Sequence, residues 1–213
     1  MPPSLIIIDD FLRDPHGFRA QALALDYDPA RKKGNYPGIL STRALPIAGL
    51  DEAASRRAGV RLQPAAGTTH QFCRLTLRGD TGKSGVHIDP CFYSGILYLS
   101  LPEHCRGGTD FFRHKPTGLE RVPQTDIALA ATPYTDINRL IEEVVNGDTL
   151  KPARWERVMT VPMRFNRLIL FSPWLFHNSA AGFGDRPENG RLVHLMFFAA
   201  APAEPTRSPE GTS

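Results

Sequence analysis

The stretch VHIDPCFYSGILYLSLPEHCRGGTDFF, residues 86–112, decides how the rest of this chain is interpreted. It begins with His87 and Asp89, two side chains of metal-ligand type that are separated by one residue at the predicted end of a β-strand. Alternate side chains of a strand point to the same face, so an imidazole and a carboxylate can converge there on one ion. The apolar residues at 96–99 predict the strand that follows.

The bulk composition is typical of a soluble globular protein. A chain of 213 residues suits one domain, and 41% of its residues are hydrophobic while 22% are charged. The formal net charge is only +3, and Lys and Arg are spread along the sequence without an aromatic-rich basic block. We therefore expect neither a membrane nor a nucleic acid as a partner. The composition specifies no oligomeric state.

The cysteines and the first apolar run predict a cytoplasmic location. Cys73, Cys91 and Cys105 are an odd number of cysteines at irregular spacings, which argues against a disulfide framework and fits a reducing compartment. The apolar run at 5–8 is too short for a signal peptide or a membrane span.

Hydrophobic periodicity predicts two helices followed by a series of short strands. Asp14 and Pro15 are a helix start signal, and the helix is expected to run to about Tyr27; a second helix is predicted at 50–58. A loop is expected at 28–38. Strands are predicted at 5–8, 71–78, 86–89, 94–101, 109–113, 155–161, 167–171 and 192–199, with a helix at about 135–145.

This order of elements predicts a mainly β fold, a β-sandwich or jelly-roll barrel with flanking N-terminal helices and one inserted helix. A doubly wound sheet would need strands and helices in strict alternation. We expect one domain over residues 1–200, with helical N-terminal support at 1–66 and a β-barrel core at 67–200 that carries a helical insertion at 133–147. The tail at 201–213 lacks apolar residues and is expected to be disordered.

His177 is the candidate for a third metal ligand, because it follows the strongly apolar strand predicted at 167–171. Two histidines and one carboxylate form the facial triad that leaves positions on iron(II) open for a co-substrate and dioxygen. The electrons for that chemistry come from a keto acid, whose far carboxylate needs a buried cation. Arg191 can bind a carboxylate through two parallel hydrogen bonds, and it shares one face of the last strand with Val193 and Leu195.

Together these residues resemble the iron(II)- and 2-oxoglutarate-dependent dioxygenases, nearest the prolyl 4-hydroxylase-like branch. The resemblance covers roughly residues 72–199. It rests on HxD at His87 and Asp89, LYL at 97–99, GGT at 107–109, His177 and Arg191, in that order.

The resemblance implies a double-stranded β-helix, a cupin-like jelly roll. It implies that His87, Asp89 and His177 bind iron(II), that Arg191 binds the C5 carboxylate of 2-oxoglutarate, and that Tyr98 contacts the same carboxylate. The implied enzyme uses dioxygen to hydroxylate a substrate with release of succinate and carbon dioxide, and the presence of Asp89 favours hydroxylation over halogenation. The segments at 113–154 and 182–190 depart from the family pattern and are expected to shape the entrance for a substrate, small molecule or protein side chain, that the motifs do not specify.

Other interpretations of the same residues stay open. A cupin-like metal protein with non-oxidative chemistry would need no Arg191, and a catalytically silent module would keep the fold without turnover. Cys91 could form a structural zinc site with His104 and Cys105, although Pro90 argues against a regular strand there.

The remaining polar candidates are given structural or peripheral roles. His194 faces away from Arg191 and is predicted to be packed. Surface positions in or near loops are expected for His16, His70, His104 and His114. The pocket mouth is a possible location for Arg74, Arg78, Arg113 and Trp174, and a structural ion pair is expected for Arg167.

Overall fold

A computed structural model of the chain describes residues 2–28 and 35–202. The strands are β1 (Leu5–Ile8), β2 (Ile39–Ala44), β3 (Leu62–Pro64), β4 (Phe72–Thr76), β5 (Tyr93–Tyr98), β6 (Gly108–His114), β7 (Trp155–Pro162), β8 (Leu168–Phe171), β9 (His177–Ser179) and β10 (Arg191–Ala200). The α-helices are α1 (Pro15–Leu23), α2 (Leu50–Ala58), α3 (Asp126–Ala130) and α4 (Ile137–Leu140). A π-helical turn at Ile141–Asn146 continues α4, and 3-10 turns lie at Pro102–His104, Pro152–Arg154 and Pro187–Asn189.

The strands form two antiparallel sheets. The larger sheet has the order β1-β8-β5-β10-β4-β2, with β3 also paired to β10, and the smaller sheet has the order β7-β6-β9. The mainly β class predicted from the sequence is therefore confirmed, with antiparallel pairing throughout the described strands.

The strand β8, which lies between β1 and β5 in the larger sheet, is apolar on both faces. Leu168 and Leu170 pack into the cluster that also contains side chains of α1 and α2. Ile169 and Phe171 point the other way and pack with Phe111 of the smaller sheet. A strand buried on both faces reads as a continuous apolar run. Helices thus cover one face of the larger sheet, and the smaller sheet covers the other.

Several predicted elements are confirmed with small changes of boundary. The side chain of Asp14 accepts a hydrogen bond from the Gly17 amide at the start of α1, but the helix ends at Leu23 rather than near Tyr27. The helix α2 has the predicted bounds and ends at Gly59, whose φ of 67° lies in the left-handed region that glycine tolerates.

Other segments differ from the prediction. Residues 86–89 form no strand, because His87 makes a single β-bridge and Pro90 interrupts the chain soon afterwards. The strands β2 and β3 and the helix α3 were not predicted, so the segment 1–66 supplies three strands of the larger sheet besides its two helices. Parts of the predicted loop and tail, 29–34 and 203–213, lie outside the described residues.

Two predictions about histidines have opposite outcomes. His114, expected on the surface, is 3% exposed at the end of β6, where its Nε2 lies 3.0 Å from a carboxylate oxygen of Asp148. His194, expected to be packed, is fully buried against α1 and bonds through Nε2 to the Leu45 carbonyl. No helix in the part of the chain that the structure describes has the length and apolar character needed to cross a membrane.

Burial of His194 gives the folded protein a specific sensitivity to acid. Burial lowers the pKa of His194 from 6.5 to about 4, so the unfolded chain binds more protons between these values and stability falls as the pH falls through this window. Between pH 7 and pH 5, protonation of His194 in the unfolded chain should lower the free energy of unfolding of the wild type by about 2 kcal/mol. Urea unfolding of metal-free protein at both pH values measures this decrease. The free energy of unfolding should decrease less in His194→Gln than in the wild type. It should decrease by the wild-type amount in His16→Gln, a substitution at an exposed position.

Candidate metal centre

The two histidines of the predicted triad face each other across a β-bridge. The amide of His87 donates to the carbonyl of His177 at 2.9 Å, and the amide of His177 donates back at 3.1 Å. Directly opposed residues of an antiparallel pair project their side chains to the same face. The two imidazole rings accordingly lie with their centroids 4.4 Å apart.

Both imidazoles present the nitrogen that a metal needs. Nδ1 of His87 lies 2.9 Å from the Gly85 carbonyl oxygen, and Nδ1 of His177 lies 2.7 Å from the Leu175 carbonyl oxygen. A carbonyl can only accept, so each Nδ1 carries a proton, and in the neutral form of each ring Nε2 has the lone pair that a metal binds. A backbone carbonyl behind a ligating histidine is the usual way in which its tautomer and ring orientation are fixed.

Asp89 completes the group. Its carboxylate oxygens lie 3.9 Å from Nε2 of His87 and 3.4 Å from Nε2 of His177. One potential ligand atom from each of the three residues lies within 4.8 Å of the other two, and within residues 2–28 and 35–202 this is the one cluster of His, Cys, Asp or Glu with that property. The predicted third ligand is therefore brought to the predicted pair.

Neighbouring groups hold Asp89 ionised and in place. Ser94 Oγ donates to one carboxylate oxygen at 2.6 Å, and the Tyr36 hydroxyl donates to the other at 3.5 Å. Burial alone would raise the pKa of Asp89, but the hydrogen bond and charge of His177, the charge of His87 and the hydrogen bond from Ser94 hold it well below its usual value. Burial lowers the pKa of His87 to about 4. A carboxylate and a neutral imidazole are the forms that bind metal.

The triad lines a cavity of about 100 Å³ between the two sheets, and Arg191 lines the same cavity. The side chain of Arg191 is almost completely buried: Nη2 donates to the Gly108 carbonyl at 3.2 Å, and Nη1 has no hydrogen-bond partner. Burial lowers its pKa from 12.5. A buried donor without a partner costs about 1–3 kcal/mol. A ligand carboxylate that accepts from Nη1 would remove this cost, so the cavity fits an anion at Arg191.

The glycine pair before β6 makes this arrangement possible. Gly107 has a φ of +60°, which favours glycine, and a Cβ on Gly108 would lie 1.9 Å from the carbonyl oxygen of Val161. Only glycine lets the backbone approach so closely. The close approach places the Gly108 carbonyl where Nη2 of Arg191 reaches it.

Tyr98 lies behind the cavity wall and is not one of the lining residues. It is fully buried, its ring centre is 5.6 Å from the Arg191 guanidinium carbon, and its hydroxyl is 2.7 Å from Oγ1 of Thr109. Thr109 itself lines the cavity, as does Thr76, which is paired with Arg191 in the sheet register. Two threonines beside Arg191, to which sequence reasoning assigned no role in ligand binding, therefore line the cavity, and Tyr98 does not.

The side chains considered for the pocket mouth differ in whether they line the cavity. Arg74 lines the cavity, whereas Arg78 is exposed and Arg113 forms an exposed pair with Glu120. Trp174 packs into the apolar cluster of the insertion rather than at the cavity. The expected structural role of Arg167 is confirmed by two hydrogen bonds to the carboxylate of Asp9, at 2.6 and 3.0 Å.

The alternative zinc site is not assembled among the described residues. Cys91 Sγ lies against the carbonyl of Tyr93, and Cys105 Sγ lies against the carbonyl of Ser100. All three cysteines are free thiols, as their irregular spacing predicted.

The insertion between β6 and β7 supports the segment that leads to His87. Thr149 accepts from the Gly85 amide through Oγ1 at 2.9 Å and from the Val86 amide through its carbonyl at 3.1 Å. The adjacent Asp148 is 6% exposed and bonds to His114. Because the Gly85 carbonyl orients the His87 ring, Thr149 acts on a triad member through one intervening residue.

Comparison with known proteins places the chain in a family. The chain belongs to a family of unknown function, DUF6445, whose model matches residues 2–198. No curated protein matches it in sequence.

The chain is similar to several solved structures at low sequence identity. HygX from Streptomyces hygroscopicus, solved with nickel and 2-oxoglutarate bound, is 14% identical with a TM-score of 0.47, covering 92% of this chain and 83% of that one. TqaL, an Fe(II)/α-ketoglutarate-dependent dioxygenase, is 11% identical with a TM-score of 0.43, covering 94% and 84%. An N-substituted L-amino acid dioxygenase from Burkholderia ambifaria is 10% identical with a TM-score of 0.40, covering 90% and 81%. Because these TM-scores are below 0.5, function must be argued from the site.

Proposed function

We propose that this chain is an iron(II)- and 2-oxoglutarate-dependent dioxygenase that hydroxylates its substrate and releases succinate and carbon dioxide. The observation that carries the proposal is one cavity that contains both a two-histidine, one-carboxylate group and a buried guanidinium with an unpartnered Nη1. The first feature suits iron(II) with open coordination positions, and the second suits the far carboxylate of a keto acid.

Each residue has a definite task in this proposal. His87, Asp89 and His177 would hold the iron through two Nε2 atoms and a carboxylate oxygen. Arg191 and the hydroxyl of Thr109 would hold the C5 carboxylate of 2-oxoglutarate. When bound, iron(II) and 2-oxoglutarate supply the reaction with dioxygen in which oxidative decarboxylation drives insertion of oxygen into a C–H bond.

The protein supplies orientation and a dry environment. Ile96, Phe171, Val193 and Leu195 line the same cavity and keep water from the reacting groups. Tyr98 faces the Arg191 guanidinium with its ring and bonds to Thr109, so we propose that it positions both groups and that the carboxylate contact is made by Thr109.

The proposal extends to the architecture. We propose that residues 1–200 form one domain whose two facing sheets are the double-stranded β-helix of this class, in the prolyl 4-hydroxylase-like branch, and that the enzyme acts in the cytoplasm. The antiparallel order of the two sheets and the cavity between them support the architecture.

The test is anaerobic absorption spectroscopy followed by addition of oxygen. Iron(II) plus 2-oxoglutarate should give a weak metal-to-ligand charge-transfer band in the visible region, and admitting dioxygen should yield succinate. Iron binding with no band on addition of 2-oxoglutarate would instead favour a cupin-like protein with non-oxidative chemistry. A band that persists in oxygen without succinate, even across a broad panel of candidate substrates, would favour a silent binding module.

A further inference from the structure

We propose that Arg74 forms a second anion site in the cavity and binds a carboxylate of the substrate that is oxidised. The inference rests on the proposed function and adds the chemical class of the substrate. Its basis is a second, partly buried guanidinium that lines the cavity without a carboxylate partner.

Arg74 lies on the same wall as Arg191 but one step further along it. In the sheet register Thr76 pairs with Arg191, and Arg74 pairs with Val193. Residues two apart on a strand share a face, so both guanidinium groups belong to the cavity side of the larger sheet. The cavity therefore contains two separate cations.

The contacts of Arg74 leave its charge uncompensated. Nη1 donates to the carbonyls of Tyr36 and Pro37 at 3.3 and 3.2 Å, and the guanidinium carbon lies 5.6 Å from the centre of the Tyr36 ring. No Asp or Glu among the described residues forms an ion pair with it. Burial lowers the pKa of Arg74 to about 10, which still leaves it charged at neutral pH. A buried charge of this kind is usually paired.

The charges in the cavity with iron(II) and 2-oxoglutarate bound indicate which group would pair with Arg74. Among the residues that line it, the groups charged at neutral pH are Asp89, Arg191 and Arg74. Iron(II) and Arg191 carry three positive charges, and Asp89 and 2-oxoglutarate carry three negative ones, so the cavity is neutral before Arg74 is counted. One further carboxylate would balance Arg74.

The position of Arg74 suits a substrate that must reach the metal. The Tyr36 ring beneath its guanidinium also lies 4.6 Å from the His87 ring, and the Tyr36 hydroxyl contacts Asp89. The Tyr36 side chain thus contacts Arg74 as well as His87 and Asp89, two of the proposed iron ligands, so an anion bound by Arg74 would lie close to the metal. A planar guanidinium would also orient that anion through two parallel hydrogen bonds.

The experiment compares acids with their neutral amides on the loaded full-length protein. Under anaerobic conditions, the iron(II) and 2-oxoglutarate form is titrated with a panel of monocarboxylates, from propanoate to 3-phenylpropanoate and N-acetylamino acids, and with the matching primary amides. Perturbation of the charge-transfer band reports binding. We expect at least one acid to bind about 10-fold or more tightly than its amide, as a charge-assisted pair predicts.

Substitutions of Arg74 test whether this residue causes the preference for an acid over its amide. Arg74→Gln should remove the preference for the acid while the Kd of 2-oxoglutarate stays within about twofold, and Arg74→Lys should keep part of the preference because it keeps the charge. Arg113→Gln removes an exposed arginine outside the cavity and should change neither value. Circular dichroism checks that each variant folds.

Three results would overturn the inference. The first is that the wild type binds acids and amides equally tightly, or binds neither. The second is an acid preference that survives in Arg74→Gln. The third is a 10-fold or larger rise in the Kd of 2-oxoglutarate in that variant, which would assign Arg74 to the co-substrate. If the wild type gives no charge-transfer band, the proposed function fails, and calorimetry with the same acids and amides on metal-free protein still tests the anion site.

Discussion

Replacing His87 by alanine is expected to abolish iron(II) binding and succinate formation. The substitution removes an Nε2 that lies among the three potential ligand atoms, and apart from His177, itself a member of the group, no histidine of the described residues lines this cavity. Loss of a group that merely supports a metal ligand costs about 10–100-fold in affinity or activity, so loss of the ligand should cost more than about 100-fold. Equilibrium dialysis with iron(II) and the charge-transfer band measure the effect.

Two further variants make the result interpretable. His16→Ala, the same change at an exposed histidine, should leave iron binding unchanged. Asp89→Asn keeps the shape of the side chain but removes the charge, and it should also weaken iron binding. Iron affinity that persists in both His87→Ala and Asp89→Asn would show that the metal binds elsewhere.

Replacing Arg191 by methionine is expected to weaken 2-oxoglutarate binding without destabilising the fold. Removing one partner of a buried charge pair costs about 2–5 kcal/mol, so the Kd should rise about 30-fold or more. In the ligand-free protein the guanidinium makes one hydrogen bond and leaves Nη1 unsatisfied, so an apolar side chain of similar length should be tolerated or even stabilising. Titration of the charge-transfer band and urea unfolding measure the two quantities.

Arg167→Met is the matched control for this substitution. Arg167 is also largely buried, but its guanidinium is held by Asp9 rather than facing the cavity. We expect that variant to lose folding stability and to keep its affinity for 2-oxoglutarate. A normal 2-oxoglutarate affinity in Arg191→Met would contradict the assignment of the co-substrate site and would favour metal chemistry without a keto acid.

Several of the residues that sequence reasoning placed at the site follow a local pattern, whereas His177 is identified by its position after an apolar strand. His87 and Asp89 are two apart, and Arg191 begins a strand in which Val193, Leu195 and Phe197 share its face; all of these line the cavity. This row follows directly from the two-residue period of a strand.

The residues that it missed owe their positions to long-range folding. Tyr36 reaches the metal centre from a segment more than fifty residues away from Asp89, and a lone tyrosine in a glycine- and proline-rich loop carries no signal of that contact. Ser94 and Thr109 are small hydroxyl residues in apolar strands, where packing is the ordinary interpretation. His114 follows the strand predicted at 109–113, and no spacing rule links it to its partner Asp148, which is 34 positions away.

The contact between Thr149 and the chain before His87 joins two regions that the sequence keeps far apart. A ligand that fixes His87 must also hold Gly85 and Val86 against Thr149, and through Asp148 it stabilises the buried base of the insertion. Linkage is reciprocal, so whatever tightens the insertion must strengthen metal binding by the same free energy. In the proposed enzyme, a molecule that binds the insertion and tightens this contact is therefore expected to strengthen metal binding without touching the cavity.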